Sequence, residues 1–133
     1  RIFNTISGKN PLTLSNLILR DGVAPNQENG GAIYAGANVT LQSTQVLNSK
    51  AGSGAGGAIY LAGLSASVAV SKSLFEGNDA LTGSVVAMAC FNDTGYSKRD
   101  ISFTASSLIK NGSENSLSML ELRFITIPLK KVS

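Results

Sequence analysis

At four places along the chain, two apolar residues flank a small and mostly hydroxylated one. These triplets begin at residues 12, 39, 68 and 101, so successive starts are 27, 29 and 33 residues apart. Alternation with a period of two is typical of a β-strand whose apolar side chains face a core. Two interior columns are predicted, one of Leu12, Val39, Val68 and Ile101 and the other of Leu14, Leu41, Val70 and Phe103.

The same register extends beyond the triplets. Seven residues after each start stands another apolar residue, in the set Leu19, Val46, Phe75 and Leu108. Ten residues after each start stands a residue typical of turns, in the set Gly22, Ser49, Asn78 and Asn111. The side chains between the interior columns are expected to face water, namely Thr13, Thr40, Ala69 and Ser102, beside Ser15, Gln42, Ser71 and Thr104.

A Gly-Gly-Ala-Ile-Tyr segment occurs twice, beginning at residues 30 and 56, which are 26 residues apart. Glycine adopts positive φ without a steric penalty, so each pair is expected to turn the chain into a third strand. A unit of three short strands cannot bury its own apolar faces, whereas stacked units pair every strand in parallel at a spacing of about 4.8 Å. The repeated tetrapeptides are Gly30-Gly31-Ala32-Ile33 and Gly56-Gly57-Ala58-Ile59.

We therefore predict an all-β fold, a right-handed parallel β-helix of about four to five coils, as a single segment over residues 1–133. The lengthening steps place insertions in the loops, where solenoids tolerate them. Ile2-Phe3-Asn4 reads as the tail of a preceding coil, and residues 120–127 read as a further coil or a cap. We expect the segment to be part of a longer solenoid.

The repeats resemble those of chlamydial polymorphic outer membrane proteins, in which a Gly-Gly-Ala-Ile tetrapeptide alternates with Phe-x-x-Asn. The two tetrapeptides match the first element, and Phe75-Glu76-Gly77-Asn78 matches the second. Gly83-Ser84-Val85-Val86 stands where a third tetrapeptide is expected. The resemblance covers about residues 12 to 91 and implies a cell-surface β-helix of the adhesin or autotransporter type, with no catalytic residue.

The amino-acid composition limits the functions that the chain is expected to have. The net charge is only +3 and histidine is absent, so neither a basic stripe for nucleic acid nor a histidine base or metal ligand is available. The lone Cys90 lies in an apolar run and is interpreted as a core filler. No apolar run approaches the ~18 residues of a transmembrane helix. We expect no cofactor and no metal.

Two other functions stay open. A polysaccharide hydrolase would need paired acids, and Asp21 with Glu76 or Asp79 is the available combination, about 9.6 Å apart if two coils separate them. A lyase would instead need clustered acids for Ca²⁺ beside a basic residue, for which Arg20-Asp21 is too sparse. An ice-binding face would need outward threonine ranks, which Thr13 and Thr40 begin and Ala69 interrupts.

The favoured interpretation is a non-enzymatic scaffold or adhesin outside the cell or on its surface. Its partners would be other copies or segments of the same surface assembly or an extracellular or host surface, with glycans as a further candidate. Three sequons could make it a glycoprotein, at Asn38, Asn92 and Asn111.

Overall fold

The computed structural model describes residues 1–5, 9–63, 65–89, 100–112, 117–118, 124–126 and 129–132. It consists of short strands joined by tight corners, with a 3₁₀ turn at Pro25–Gln27. The strands are β1 Phe3–Thr5, β2 Leu12–Ser15, β3 Ile18–Arg20, β4 Ile33–Ala35, β5 Val39–Gln42, β6 Gln45–Leu47, β7 Ile59–Leu61, β8 Val68–Ser71, β9 Leu74–Glu76, β10 Val86–Met88, β11 Asp100–Thr104, β12 Ser106–Ile109, β13 Leu117–Ser118, β14 Phe124–Thr126 and β15 Leu129–Val132.

The strands form three parallel sheets of five strands each, in the orders β1-β4-β7-β10-β13, β14-β11-β8-β5-β2 and β15-β12-β9-β6-β3. We name them sheets A, B and C. Along the chain a strand of B is followed by one of C and then one of A, so the fold is the predicted parallel β-solenoid. Three turns, β2 to β10, are described almost without a gap, against the four to five coils expected for the whole chain.

The register of sheet B is the predicted one. Leu12 pairs with Val39, Val39 with Val68 and Val68 with Ile101, and the second column runs in step from Leu14 to Phe103. All of these side chains are buried except Leu12, which is half-buried in the first turn. Burial of a large apolar side chain contributes roughly 1.5–3 kcal/mol, so these columns are a main source of stability.

Sheets B, C and A complete one core. In sheet C, Leu19, Val46, Phe75 and Leu108 lie in register and point inward. The Phe75 ring packs edge to face on Phe103 of sheet B, with ring centroids 5.6 Å apart. Sheet A contributes Ile33, Ile59 and Val86, which are fully buried and in register.

The corners on either side of sheet C each contain a residue with positive φ. At the turn from sheet B to sheet C, the residues are Asn16, Ser43, Lys72 and Ala105, and after sheet C they are Asp21, Asn48, Gly77 and Lys110. A non-glycine residue in this conformation costs about 1–2 kcal/mol, so the stacked hydrogen bonds must offset the strain. The side chains vary widely, which shows that the fold dictates the corner conformation.

The glycine pairs make the turn into sheet A. Gly30 and Gly56 have φ of 75° and 71°, as the repeats predicted. The second glycine serves a different purpose, because a Cβ on Gly31 would lie 2.2 Å from the carbonyl oxygen of Gly57. A side chain there would push neighbouring turns apart, which explains why both positions of the pair are glycine.

Both ends of the chain join the stack. Strand β1 pairs with β4, which confirms that Phe3 and Asn4 belong to a preceding turn of sheet A. In the region interpreted as a further coil or a cap, β14 pairs with β11, and the later β15 pairs with β12. Residues 120–123 and 127 lie outside the described residues.

Candidate functional surfaces

The outer face of sheet B is uncharged across its middle turns. Its two outward columns are the predicted ones, Thr13-Thr40-Ala69-Ser102 and Ser15-Gln42-Ser71-Thr104. We name these eight residues the sheet B face. The threonine rank is interrupted at Ala69, so no continuous threonine column forms between Thr13 and Ser102.

A hollow of about 210 Å³ lies on sheet B beside Ala69. The polar atoms at its rim already serve the fold: Asn38 Oδ1 accepts the Ser67 N–H at 2.9 Å, and Ser67 Oγ accepts the Asp100 N–H at 3.0 Å. Asp100 Oδ1 is buried and has no hydrogen-bond partner among the described residues. The hollow thus offers one carboxylate and small side chains, a geometry that does not supply an acid and a base together.

A ladder of buried hydroxyl groups follows the corner between sheets B and C. The Thr44 N–H donates to Ser73 Oγ at 3.0 Å, and the Ser73 N–H donates to Ser106 Oγ at 3.2 Å. Ser73 Oγ donates in turn to the carbonyl oxygen of Ser71. The ladder satisfies backbone groups that the tight corner removes from water. In the first turn the equivalent position is the exposed Leu17.

A second ladder, of amides, fills the corner after sheet C. Asn78 Oδ1 accepts the Ser49 N–H at 3.0 Å, and Asn78 Nδ2 donates to the Val46 carbonyl at 2.9 Å and to Asn111 Oδ1 at 3.0 Å. The Asn78 N–H also donates to Asn111 Oδ1. Asn78 is fully buried. These positions were predicted as turns, and the structure adds that their side chains point inward and join successive turns.

The Phe-x-x-Asn element therefore has a physical basis in this chain. Phe75 fills the core of sheet C, and Asn78, three residues later, fills the corner ladder. Sequence reasoning missed the inward direction of the asparagine because turn residues are usually solvated. The recurrence of Ser, Asn and Asn at one offset was the available signal.

The carboxylates considered for catalysis are not brought together. Asp21 lies at a corner and pairs with Arg20 at 2.9 Å, with both side chains more than half exposed. Glu76 stands in the strand column of Arg20 and Leu47, and Asp79 stands in the column of Val23 and Lys50. Neither shares a column with Asp21, and a residue of the middle turn separates each from the first turn.

On the outer face of sheet C, apolar and polar side chains alternate along each column from turn to turn, and also between the two columns within each strand. One outward column is Ile18-Gln45-Leu74-Ser107, and the other is Arg20-Leu47-Glu76-Ile109. We name these eight residues the sheet C face. The sheet C face was not predicted from the sequence, although an apolar residue directly precedes or follows each inward residue of these strands.

Sheet A carries a pair of tyrosines on its outer face. Tyr34 and Tyr60 are paired across β4 and β7, with ring centroids 5.4 Å apart and planes tilted by 54°. The Arg1 guanidinium covers the Tyr34 ring at 4.6 Å and also pairs with Glu28 at 3.0 Å. Both tyrosines are half-buried, so the rings pack on each other more than they project into solvent.

The sequons differ in their surroundings. Asn38 is exposed just before β5, and its Oδ1 accepts the Ser67 N–H. The Asn111 amide belongs to the corner ladder, since its Nδ2 donates to the Phe75 carbonyl at 3.2 Å. Asn92 and Cys90 lie outside the described residues. Of the two described sequons, Asn38 is the one whose amide takes no part in the corner ladder.

Among the described residues, no group of three or more histidine, cysteine or carboxylate side chains is placed to hold a metal ion. The same part of the chain contains no helix with the length and hydropathy needed to span a bilayer. Comparisons with protein-family models, with curated proteins and with solved structures found no match to this chain.

Proposed function

We propose that this chain is a rigid, non-catalytic scaffold that acts outside the cell or on its surface and makes its contacts through its outer faces and loops. The observation that carries the proposal is the continuous register of three parallel sheets from β2 to β12 around one apolar core. Parallel strands with buried, interlocked columns form a stiff rod, because a slip by one residue would bring polar side chains into the core. Stiffness with regular spacing is what a presenting surface requires.

The placement of the polar side chains also supports a scaffold function. The buried hydroxyl and amide side chains of Ser73, Ser106 and Asn78 are bonded to the backbone and hold the turns together. The candidate acids are spread over different columns, with Asp21 paired to Arg20. The extracellular location rests on the resemblance of the Gly-Gly-Ala-Ile and Phe-x-x-Asn repeats to surface proteins. Partners of this kind of surface are other copies of the assembly or an extracellular or host surface.

The experiment that tests the proposal is turnover of a panel of neutral and acidic polysaccharides by the purified chain, alongside Asp21→Asn and Asp79→Asn. We expect no depolymerisation by any of the three proteins, together with binding to cells or to other copies of the chain. Turnover by the wild type that either substitution abolishes would overturn the proposal and favour a polysaccharide-active enzyme. Thermal hysteresis that Thr40→Lys abolishes would favour ice binding instead.

Glycosylation is part of the same proposal. In material purified from a secretory eukaryotic source, we expect a mass loss on enzymatic deglycosylation that Asn38→Gln reduces. The Asn38→Gln change keeps a side-chain amide near Ser67 and removes only the acceptor sequon. Unchanged mass in the wild-type protein from such a source would remove glycosylation from the proposal.

A further inference from the structure

The sheet C face combines exposed apolar groups with charges in one regular pattern. Ile18 is 60% exposed, and the Arg20 side chain is 67% exposed. Leu47 and Leu74 are half-buried on the same face, and the two columns exchange apolar and polar residues at each turn. Single exposed apolar residues need no explanation, but a contiguous apolar zigzag bordered by charges is typical of an interaction surface.

We propose that the sheet C face binds the sheet C face of a second copy of this chain about a two-fold axis that runs along β6. Such an axis leaves the strand direction unchanged and reverses the order of the turns, so β3 of one copy faces β9 of the other. The two solenoid axes then run antiparallel. A two-fold interface of this kind uses the same patch on both copies, so the patch must complement itself.

About this axis, apolar residues face apolar residues and charged residues face residues of opposite charge. Ile18 of one copy lies opposite Leu74 of the second copy, and Leu47 lies opposite its own equivalent on the axis. Arg20 lies opposite Glu76 of the second copy, and this ion pair forms twice. The Arg20 guanidinium already contacts Asp21 at 2.9 Å, and its five N–H donors allow a second carboxylate to join.

Two other two-fold arrangements of the same face are less favourable. An axis along β9 would place Glu76 opposite Glu76 of the second copy and would add repulsion at the centre. An axis parallel to the solenoid would place Ile18 opposite Arg20, which removes a charge from water without a partner. The alternation of the two columns and the position of the charges therefore select the axis along β6.

The expected complex is weak. About the β6 axis, three turns of the face meet, β3, β6 and β9, which are about 4.8 Å apart and contribute strands of three residues at about 3.3 Å each. Its area is well below the ~800 Å² per partner of standard stable interfaces. Dimerisation would thus require a high local concentration, as when copies are crowded on one surface. The second copy would be one of the partners of the proposed scaffold, and only this point rests on the proposed function.

Charge reversal tests the pairing. The experiment is sedimentation of the full chain up to about 1 mM, the range of weak complexes. We expect Arg20→Glu and Glu76→Arg, each measured alone, to weaken association by about tenfold or more, since each places like charges together. Mixing the two variants should restore association, because every contact then joins a glutamate and an arginine. Thr40→Glu, which introduces a single charge on the sheet B face, should leave association at the wild-type level.

Site-directed crosslinking tests the axis independently of charge. In a Cys90→Ser background, Leu47→Cys places two thiols opposite each other on the axis. Because packed sheets are about 10 Å apart, beyond the reach of a direct disulfide, a short bis-maleimide reagent should link the two copies. Thr40→Cys, in the same turn and equally half-buried, is the matched control and should crosslink more slowly. Equal crosslinking of the two variants would overturn the proposal.

A wild-type chain that is monomeric at about 1 mM would also overturn the proposal. Wild-type association that neither charge variant weakens, or that the mixture fails to restore, would do the same. Each of these results concerns the sheet C face alone. They are distinguishable from a failure of the scaffold function, whose sign is turnover of polysaccharide.

Discussion

Sheets B and C share one interior and one spacing, yet their outer faces differ in chemistry. The sheet B face carries Thr, Ser, Gln and Ala in columns of similar size and polarity. The sheet C face alternates isoleucine and leucine with arginine, glutamine and glutamate. In both sheets the inward columns are apolar and buried. The inside of a solenoid thus fixes the fold, while each outer face is free to acquire its own partner.

The difference arises from what each position must satisfy. An inward residue of a strand must fill the core at crystal-like density without strain, so only apolar residues of suitable size fit there. An outward residue must only tolerate the pleated, partly solvated surface of a strand. Ile18 and Thr13 occupy equally outward positions in the first turn, and nothing in the core requires either. Differences between outer faces are therefore the place to look for function.

The largest expected effect separates the inside of sheet B from its outside. Val68→Asp buries a carboxylate at a position that is 1% exposed, so we expect a loss of several kcal/mol and unfolding of the middle turns. Ala69→Asp, one residue later, faces water and should change the free energy of unfolding by less than about 0.5 kcal/mol. Chemical denaturation followed by circular dichroism measures both. Equal losses would reject the register.

A smaller effect tests the ladder that joins the two sheets. Ser73→Ala removes the acceptor of the Thr44 N–H at a buried corner and should cost about 1–3 kcal/mol. Ser71→Ala, in the same turn and on the sheet B face, keeps its backbone carbonyl and should cost less than about 0.5 kcal/mol. The two variants are compared by denaturant titration. A cost at Ser71 that equals the cost at Ser73 would contradict a structural role for the ladder.

The two faces can be compared directly by substitution in the second turn. Leu47→Ser removes a half-buried apolar group and should cost at most about 1 kcal/mol in stability while it abolishes self-association. Thr40→Ser should change neither the free energy of unfolding nor the sedimentation behaviour. If Leu47→Ser sediments as the wild type does at every concentration, the distinction between the faces is wrong.

The smallest effect concerns the exposed pair on the sheet C face. Arg20 and Asp21 are more than half exposed, so solvent screens their attraction. Arg20→Gln should alter the stability of the monomer by less than about 0.5 kcal/mol, measured by thermal unfolding of dilute protein. A loss of 2 kcal/mol or more would mean that the pair stabilises the fold itself.

The register of the apolar columns was predicted from the sequence, whereas the burial of the corner side chains was not. Val39, Val68 and Ile101 were assigned to one column because their neighbours alternate, and the pairing confirms this assignment. The burial of Asn78 could not be read from the sequence, because an asparagine in a turn is equally suited to solvent. Only the close approach of successive corners removes it from water.

The positive φ of the corner residues also could not be predicted from the sequence pattern. Lys72 and Ala105 have φ of 49°, a conformation that neither residue type favours. The stack imposes it, since the corners above and below have the same shape. The sheet C face was missed for a related reason: single apolar residues beside the inward column were visible in the sequence, but their pattern runs across strands and was not assembled into one face.

The most direct test of the difference between the two faces is a dilution series of the wild-type chain followed by backbone amide NMR. The account predicts concentration-dependent shifts at Ile18, Leu47 and Leu74 on the sheet C face, with the amides of Thr13, Thr40 and Ala69 unchanged. Shifts that appear on the sheet B face, or no shifts up to about 1 mM, would contradict it.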